Sequence, residues 1–253
     1  MDELGALTSS QREYRECSIM CFTETWFRNR FRTPTAPSAA DCRSSGKRRG
    51  GGIAVLVSNR WCNPGHVTVK ERLCSPDIEL LAVSLRPYYL PREFSCVIVI
   101  TTYIPPSAAP DVACDVINSV TANLQNQHPN SFIIITGDFN HTSLDTTLPT
   151  FSQFVNCSTR DNKTLDLLYA NIKDAYTSTA LPPLGRSDHN LVLLTPVYTP
   201  IVQKQTVTTR TVRKWSQEAI ETLQGCFEAT DWNVFCDQHG DDINSMTDSV
   251  RVH

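Results

Sequence analysis

Five short stretches place polar, chemistry-bearing side chains at the ends of apolar runs. Glu24 follows Ser18-Ile19-Met20-Cys21-Phe22, and Tyr103 follows Cys96-Val97-Ile98-Val99-Ile100. Asp138 and Asn140 follow Phe132-Ile133-Ile134-Ile135-Thr136, with Gly137 between run and carboxylate. Asp166 lies inside Thr164-Leu165-Asp166-Leu167-Leu168-Tyr169, and Asp188 and His189 stand just before Leu191-Val192-Leu193-Leu194. Asp138 and Asn140 are two residues apart, so an extended chain points both to one side. Each feature has a plain reading. Glu24 alone is a strand-end carboxylate, Tyr103 a core aromatic, Asp138/Asn140 a turn closing a strand, Asp166 a local partner of Lys163, and His189 a structural histidine.

Their recurrence points further. Several carboxylates brought together away from water need a cation or a proton. An oxygen donor set suits Mg²⁺ or Mn²⁺ and not Zn²⁺. Mg²⁺ takes one or two carboxylates and leaves the rest of its shell to water and substrate phosphate. The chemistry implied is phosphoryl transfer or phosphodiester hydrolysis.

The elements that must position these groups are mostly strands. Phe132–Thr136 and Ile53–Val57 read as strands buried on both faces. Cys17–Thr25, Ile78–Leu85, Phe94–Tyr103, Leu165–Asn171 and Leu191–Val197 read as further strands, and His66–Glu71 as a weaker alternating one. Pro105-Pro106 closes the strand that bears Tyr103. Helices are expected in Met1–Glu16, in Ala113–Gln127 with Val116, Ile117, Val120 and Leu124 at helical spacing, as a short segment at Pro149–Val155, and at Ser216–Phe227. Arg28–Gly52 reads as a long connection. Many strands with few intervening helices favour stacked sheets with helices outside.

The chain has 253 residues and a net charge of −3. Residues 1–60 carry ten Lys/Arg against six Asp/Glu, residues 61–200 eight against twelve, and residues 201–253 five against eight. A polyanion would therefore meet local basic groups instead of a general field. Lys47-Arg48-Arg49 ahead of three glycines is one candidate for a phosphate backbone, a solvated loop being the other reading; Arg186, beside Ser187, is a stronger one. Trp26 and Trp61 read as core or near-core residues. The ten cysteines show no CxxC pair and no zinc-ligand spacing, which reads as free thiols in a reducing compartment. No signal peptide or membrane-spanning run is expected.

Glu24-Thr25-Trp26, Tyr103-Ile104-Pro105-Pro106, Gly137-Asp138-Phe139-Asn140, Leu165-Asp166-Leu167 and Ser187-Asp188-His189, in this order, resemble the motif series of the endonuclease/exonuclease/phosphatase superfamily. Within it they are most similar to the apurinic-like endonuclease domain of non-LTR (LINE-type) retrotransposons. The resemblance covers residues 1–198. It implies a DNase I-like α/β fold, a two-sheet β-sandwich flanked by helices, with the site at one rim. It also implies roles. Glu24 holds the divalent metal, Mg²⁺ or Mn²⁺, with Asp188 in the metal region. Asp138 orients or deprotonates the attacking water, and Asn140 positions water or phosphate. Asp166 orients His189, which polarises the scissile phosphate, and Tyr103 donates to a phosphate oxygen. Arg186, Ser187, Asn140 and His189 face the phosphate or DNA. The family pattern begins with a strand ending in asparagine and an Asn-Lys pair, ahead of residues like Met1-Asp2-Glu3-Leu4. The expectation is therefore an N-terminally truncated domain, its sheet one strand short and its metal site short of one amide.

The function expected is a metal-dependent DNA endonuclease that nicks a target strand, nuclear where functional and impaired by the truncation. The alternatives are an inactive retrotransposon remnant that at most binds nucleic acid, and another phosphodiesterase or phosphatase of the superfamily. Residues 199–253 read as a linker and an amphipathic helix leading toward a reverse transcriptase domain, itself absent from this chain. Element RNA would be a partner only through that domain.

Overall fold

The structure is a computed structural model that describes residues 2–25, 38–42, 51–200, 214–239, 244 and 247. It divides into two compact units, Met1–Val202 and Gln203–His253. The first opens with α1 (Asp2–Ser10) and α2 (Arg12–Glu16), followed by β1 (Ile19–Phe22), β2 (Ser38–Cys42), β3 (Ile53–Val57), β4 (Cys62–Cys74), β5 (Glu79–Pro87) and β6 (Cys96–Tyr103). Then come α3 (Pro110–Gln127), β7 (Ser131–Asp138), β8 (Ser152–Gln153), β9 (Asp166–Ala170), β10 (Tyr176–Leu181) and β11 (Leu191–Pro196).

A six-stranded sheet of order β4-β5-β6-β7-β9-β8 forms the centre. β6 and β7 are parallel, joined through α3, and the other neighbours are antiparallel. Because side chains alternate along a strand, the central strands feed two cores. Leu80, Ala82, Ile98, Ile100, Ile133 and Ile135 pack on one face with Ala113, Ile117 and Leu124 of α3. Leu81, Val83, Val97, Val99, Ile134 and Leu168 pack on the other with Ile53, Val55 and Val57 of β3. Two smaller sheets cover this second face, β1-β3-β2 and β10-β11. The class expected from the pattern of apolar runs, stacked sheets with helices outside, is the one observed.

Several boundaries differ from the sequence expectation. Met1–Glu16 breaks into two helices at Gln11, whose backbone is extended. The stretch expected as a weak strand at His66–Glu71 is a thirteen-residue edge strand with register shifts between Cys62 and Val67 and between Val69 and Glu71. Pro149–Val155 is not a helix; it carries β8, which pairs with Ala170 and Tyr169 of β9. Its apolar residues Phe151 and Val155 are buried against the sheet instead of along a helical stripe. β2 lies within the segment expected to be a connection, paired along β3. β10 was not expected, because its half-exposed Thr/Ser-rich sequence has no core-forming run. Trp61 is half-buried, and Cys62 and Cys96 are buried free thiols. Trp26, Lys47, Arg48, Arg49 and the linker at 201–213 lie outside the described residues.

The second unit contains α4 (Gln217–Ala229) and α5 (Trp232–His239). Ser216 caps α4 by accepting from the Ala219 amide at 3.1 Å. Among the described residues no helix is long and apolar enough to cross a membrane.

Candidate active site

The register of the central sheet lines up four polar residues at one end. Glu79 of β5 stands opposite Tyr103 of β6, Tyr103 opposite Asp138 of β7, and Asp138 opposite Asp166 of β9. Residues directly opposite one another point to the same face of a sheet. Strand pairing alone thus turns four sequence-distant side chains into one row. The row lies on the face covered by the smaller sheets, with Tyr103 in that core.

Two further groups reach the row. Glu24, three residues beyond the last paired position of β1 region at Thr23-Glu24, accepts a hydrogen bond from the Tyr103 hydroxyl at 2.6 Å. Its backbone is in the left-handed region, φ 48°, which turns the chain out of the strand. At the other end, His189 Nδ1 lies 2.7 Å from Asp166 Oδ2. That contact fixes the ring and leaves Nε2 as the atom available to a substrate. The turn before β11 holds His189 there: its amide donates to the Ser187 hydroxyl at 3.1 Å, and the Asn190 amide donates to the Thr159 carbonyl at 2.7 Å. Thr159 Oγ1 in turn accepts from the amides of Leu165 and Asp166 at 2.9 and 3.1 Å. One threonine therefore ties both halves of the Asp–His pair to the same loop.

Asp138 is buried, 5% exposed. Burial pushes its carboxyl up to about 6, and the negative charges of Asp166 and Glu24 push the same way, against the Asn140 amide and His189. Asn140 sits at φ 51°, a conformation that asparagine tolerates. Its amide donates to Asp138 Oδ1 at 3.0 Å and its side-chain Nδ2 to the Ile104 carbonyl at 2.8 Å. Asn140 is therefore bound to the end of β6 as well as to β7. The Tyr103 hydroxyl is raised above its ordinary range by burial and by its bond to Glu24.

Of the residues singled out from sequence, Glu24, Tyr103, Asp138, Asn140, Asp166 and His189 are brought to this sheet end. Arg186, Ser187 and Asp188 are exposed on the adjoining turn. The Asp188 carboxylate is engaged with Arg160 at 2.7 Å and is 67% exposed. Arg160 was not expected from sequence; nothing local marks a lysine-like surface arginine as the partner of a residue twenty-eight positions on.

Glu79 was also missed. It is fully buried, and Oε2 accepts from the Gly52 amide at 2.6 Å. The Gly52 carbonyl accepts from the Thr25 amide at 3.1 Å. Glu79 thereby holds the backbone beside Glu24. A carboxylate opening the apolar run Leu80–Leu85 was the available signal. Glu79→Ala should leave a buried amide unsatisfied and cost about 1–3 kcal/mol, read from urea denaturation. An unchanged midpoint would show that the Gly52 contact carries no stability.

A second expectation concerns pH. Folded Asp138 keeps its proton up to about 6, against 3.8 when unperturbed. The folded state thus binds more protons between those values. The stability tied to this group is fully present below about 4 and is lost as pH rises through about 6. In cation-free buffer, wild type should lose stability relative to Asp138→Asn over that window. Parallel melting curves for the two proteins would contradict it.

Among the described residues no group of three or more His, Cys, Asp or Glu is placed to hold a metal ion. The donors at the row are nevertheless oxygens, and their mutual repulsion at Asp138 is the charge imbalance that a hard cation relieves. One carboxylate suffices for Mg²⁺ that keeps its other positions for water and phosphate, so the residues present fit such an ion.

An α/β sandwich with carboxylates, an Asp–His pair and a tyrosine at one sheet end defines a hydrolase-type phosphoester site. The chain belongs to the endonuclease/exonuclease/phosphatase family, whose model matches residues 2–189. Among solved structures it is similar to the endonuclease domain of TRAS1, a telomere-specific non-LTR retrotransposon, with 13% identity and a TM-score of 0.53, covering 78% of this chain and 94% of that one. It is also similar to truncated Caenorhabditis elegans TDP2, with 13% identity and a TM-score of 0.51, covering 76% and 88%. At these identities the likeness is one of fold. No curated protein matches the chain in sequence.

Proposed function

We propose that this chain is a divalent-cation-dependent endonuclease that hydrolyses phosphodiester bonds in DNA, acting as the nicking domain of a non-LTR retrotransposon. The observation that carries the reading is the Asp166–His189 pair at 2.7 Å, on the sheet row that also contains Asp138 and Tyr103. Asp138 takes a proton from the attacking water, and Asn140 holds the carboxylate in place. His189, oriented by Asp166, presents Nε2 to the phosphate and stabilises charge on its oxygens. Tyr103 donates a hydrogen bond to the same region once Glu24 is engaged elsewhere. Glu24 would hold Mg²⁺ or Mn²⁺, which supplies charge neutralisation at the phosphate. Arg186 and Ser187, exposed on the turn carrying His189, contact the DNA backbone. Asp188, through Arg160, fixes that turn.

The test is Mg²⁺-dependent conversion of supercoiled plasmid to open circle. Cleavage by the purified chain that disappears with chelator supports the reading. A second reading, a non-catalytic remnant that binds DNA, is favoured by the engagement of Asp188 with Arg160 and by the lack of a three-residue metal group among the described residues. Salt-dependent DNA binding without any nicking would establish it in place of the first.

A further inference from the structure

The face of the sandwich opposite the central sheet is built in two pieces. β1 pairs only with β3, and β11 only with β10, among the described residues. Between them lies a cavity of about 720 Å³ lined by every residue of both strands except those of their far partners. Its floor is β7, where Phe132, Ile134 and Thr136 stand at alternate positions and so share one face. Ile19 and Cys21 of β1, and Val192 and Leu194 of β11, pack toward the same core from the two sides. Their i, i+2 spacing means that both strands lie over β7 in the orientation of one continuous sheet with a gap in it.

We propose that this cleft accepts a single extended peptide strand, supplied in trans, that pairs with β1 on one side and β11 on the other. The two edges select the occupant. Each presents backbone N–H and C=O groups that need partners. An acyl chain has none to offer, and a helix has already used its own. A strand satisfies both edges at once and sends alternate side chains down onto Phe132, Ile134 and Thr136, the mode of recognition known as strand addition. β11 has six residues, so the occupant spans about 20 Å at about 3.3 Å per residue. The apolar floor asks for β-branched aliphatic side chains at every second position. The proposal does not depend on nuclease activity.

The probe is an end-capped peptide of about eight residues, alternating valine and threonine, with a lysine at each end for solubility. Hydrogen exchange on the intact chain is followed at the amides of β1 and β11. Saturating peptide should slow exchange in both strands at least tenfold, roughly the protection expected when an edge becomes an interior strand. The same peptide N-methylated at alternate amides, which cannot donate along one edge, should fail to protect that edge. Unchanged exchange with the first peptide would overturn the proposal. Equal protection by the methylated peptide would overturn it too, because apolar filling alone would then account for binding.

Discussion

Asp138→Asn should lower Mg²⁺-dependent nicking by about 10²–10⁴-fold, the range typical for loss of a positioned acid–base group. His189→Ala should do the same. The two changes differ in how they fail. Asparagine at 138 keeps the shape and the hydrogen bond from the Asn140 amide but cannot accept a proton from water. Alanine at 189 leaves Asp166 without its ring partner, 2.7 Å away in the wild type, and removes a donor to the phosphate. The double variant should be no worse than about tenfold below either single one, because groups acting in one step are not additive. In wild type, activity should rise with pH as Asp138 loses its proton near 6, with a divalent cation moving that limb to lower pH. Folding of each variant is checked by its melting curve. Undiminished nicking by either folded variant would remove that residue from the chemistry and sink the assignment of this row as the active site.

Gly137→Ala should be the most damaging single substitution for stability. Gly137 has φ 143°, a region that residues with a Cβ rarely adopt. An added Cβ would lie 1.8 Å from the Thr102 carbonyl oxygen, a backbone atom of the neighbouring strand β6. Thr102 and Gly137 are register partners, so the clash cannot be relieved by a side-chain rotation. Either β7 separates from β6 or the strand end twists away. The expected cost is roughly 3–5 kcal/mol, among the larger values seen for one substitution. Urea denaturation measures it, and a loss below about 1 kcal/mol would show that the strand end relaxes freely. Because Asp138 is the next residue, a milder loss should still lower activity in protein that remains folded.

The two effects meet at one place for a reason that the sequence partly displays. Gly137 was legible as the residue where the chain could turn, and Asp138/Asn140 as groups delivered to one side. Glu24, Tyr103, Asp166 and His189 were legible as polar residues at the ends of apolar runs. The strands carrying them were also legible, because β-branched runs such as Ile53–Val57 and Phe132–Thr136 have no good alternative to a buried strand. Glu79 was not, since a carboxylate at the start of an apolar strand is usually solvated, and only the fold brings the Gly52 amide to it. β10 was hidden because its half-exposed positions carry serine and threonine. At Pro149–Val155 a helical spacing of apolar residues was overridden by the edge of β9, which offered backbone partners.

What the sequence by itself determined is therefore local: which runs are strands, where they end, and which polar side chains those ends carry. Spacing and residue type suffice because burial of an apolar run and the turn that follows it depend on near neighbours. The tertiary structure decided the rest. Register alone places Glu79, Tyr103, Asp138 and Asp166 in one row, since a shift of one residue would turn any of them to the opposite face. Pairing also decided that Asp188 meets Arg160 at 2.7 Å instead of the carboxylate row. The motif resemblance implied a sheet short of one strand. Where β1 and β11 would leave room for one is a matter of long-range packing, which no local pattern encodes.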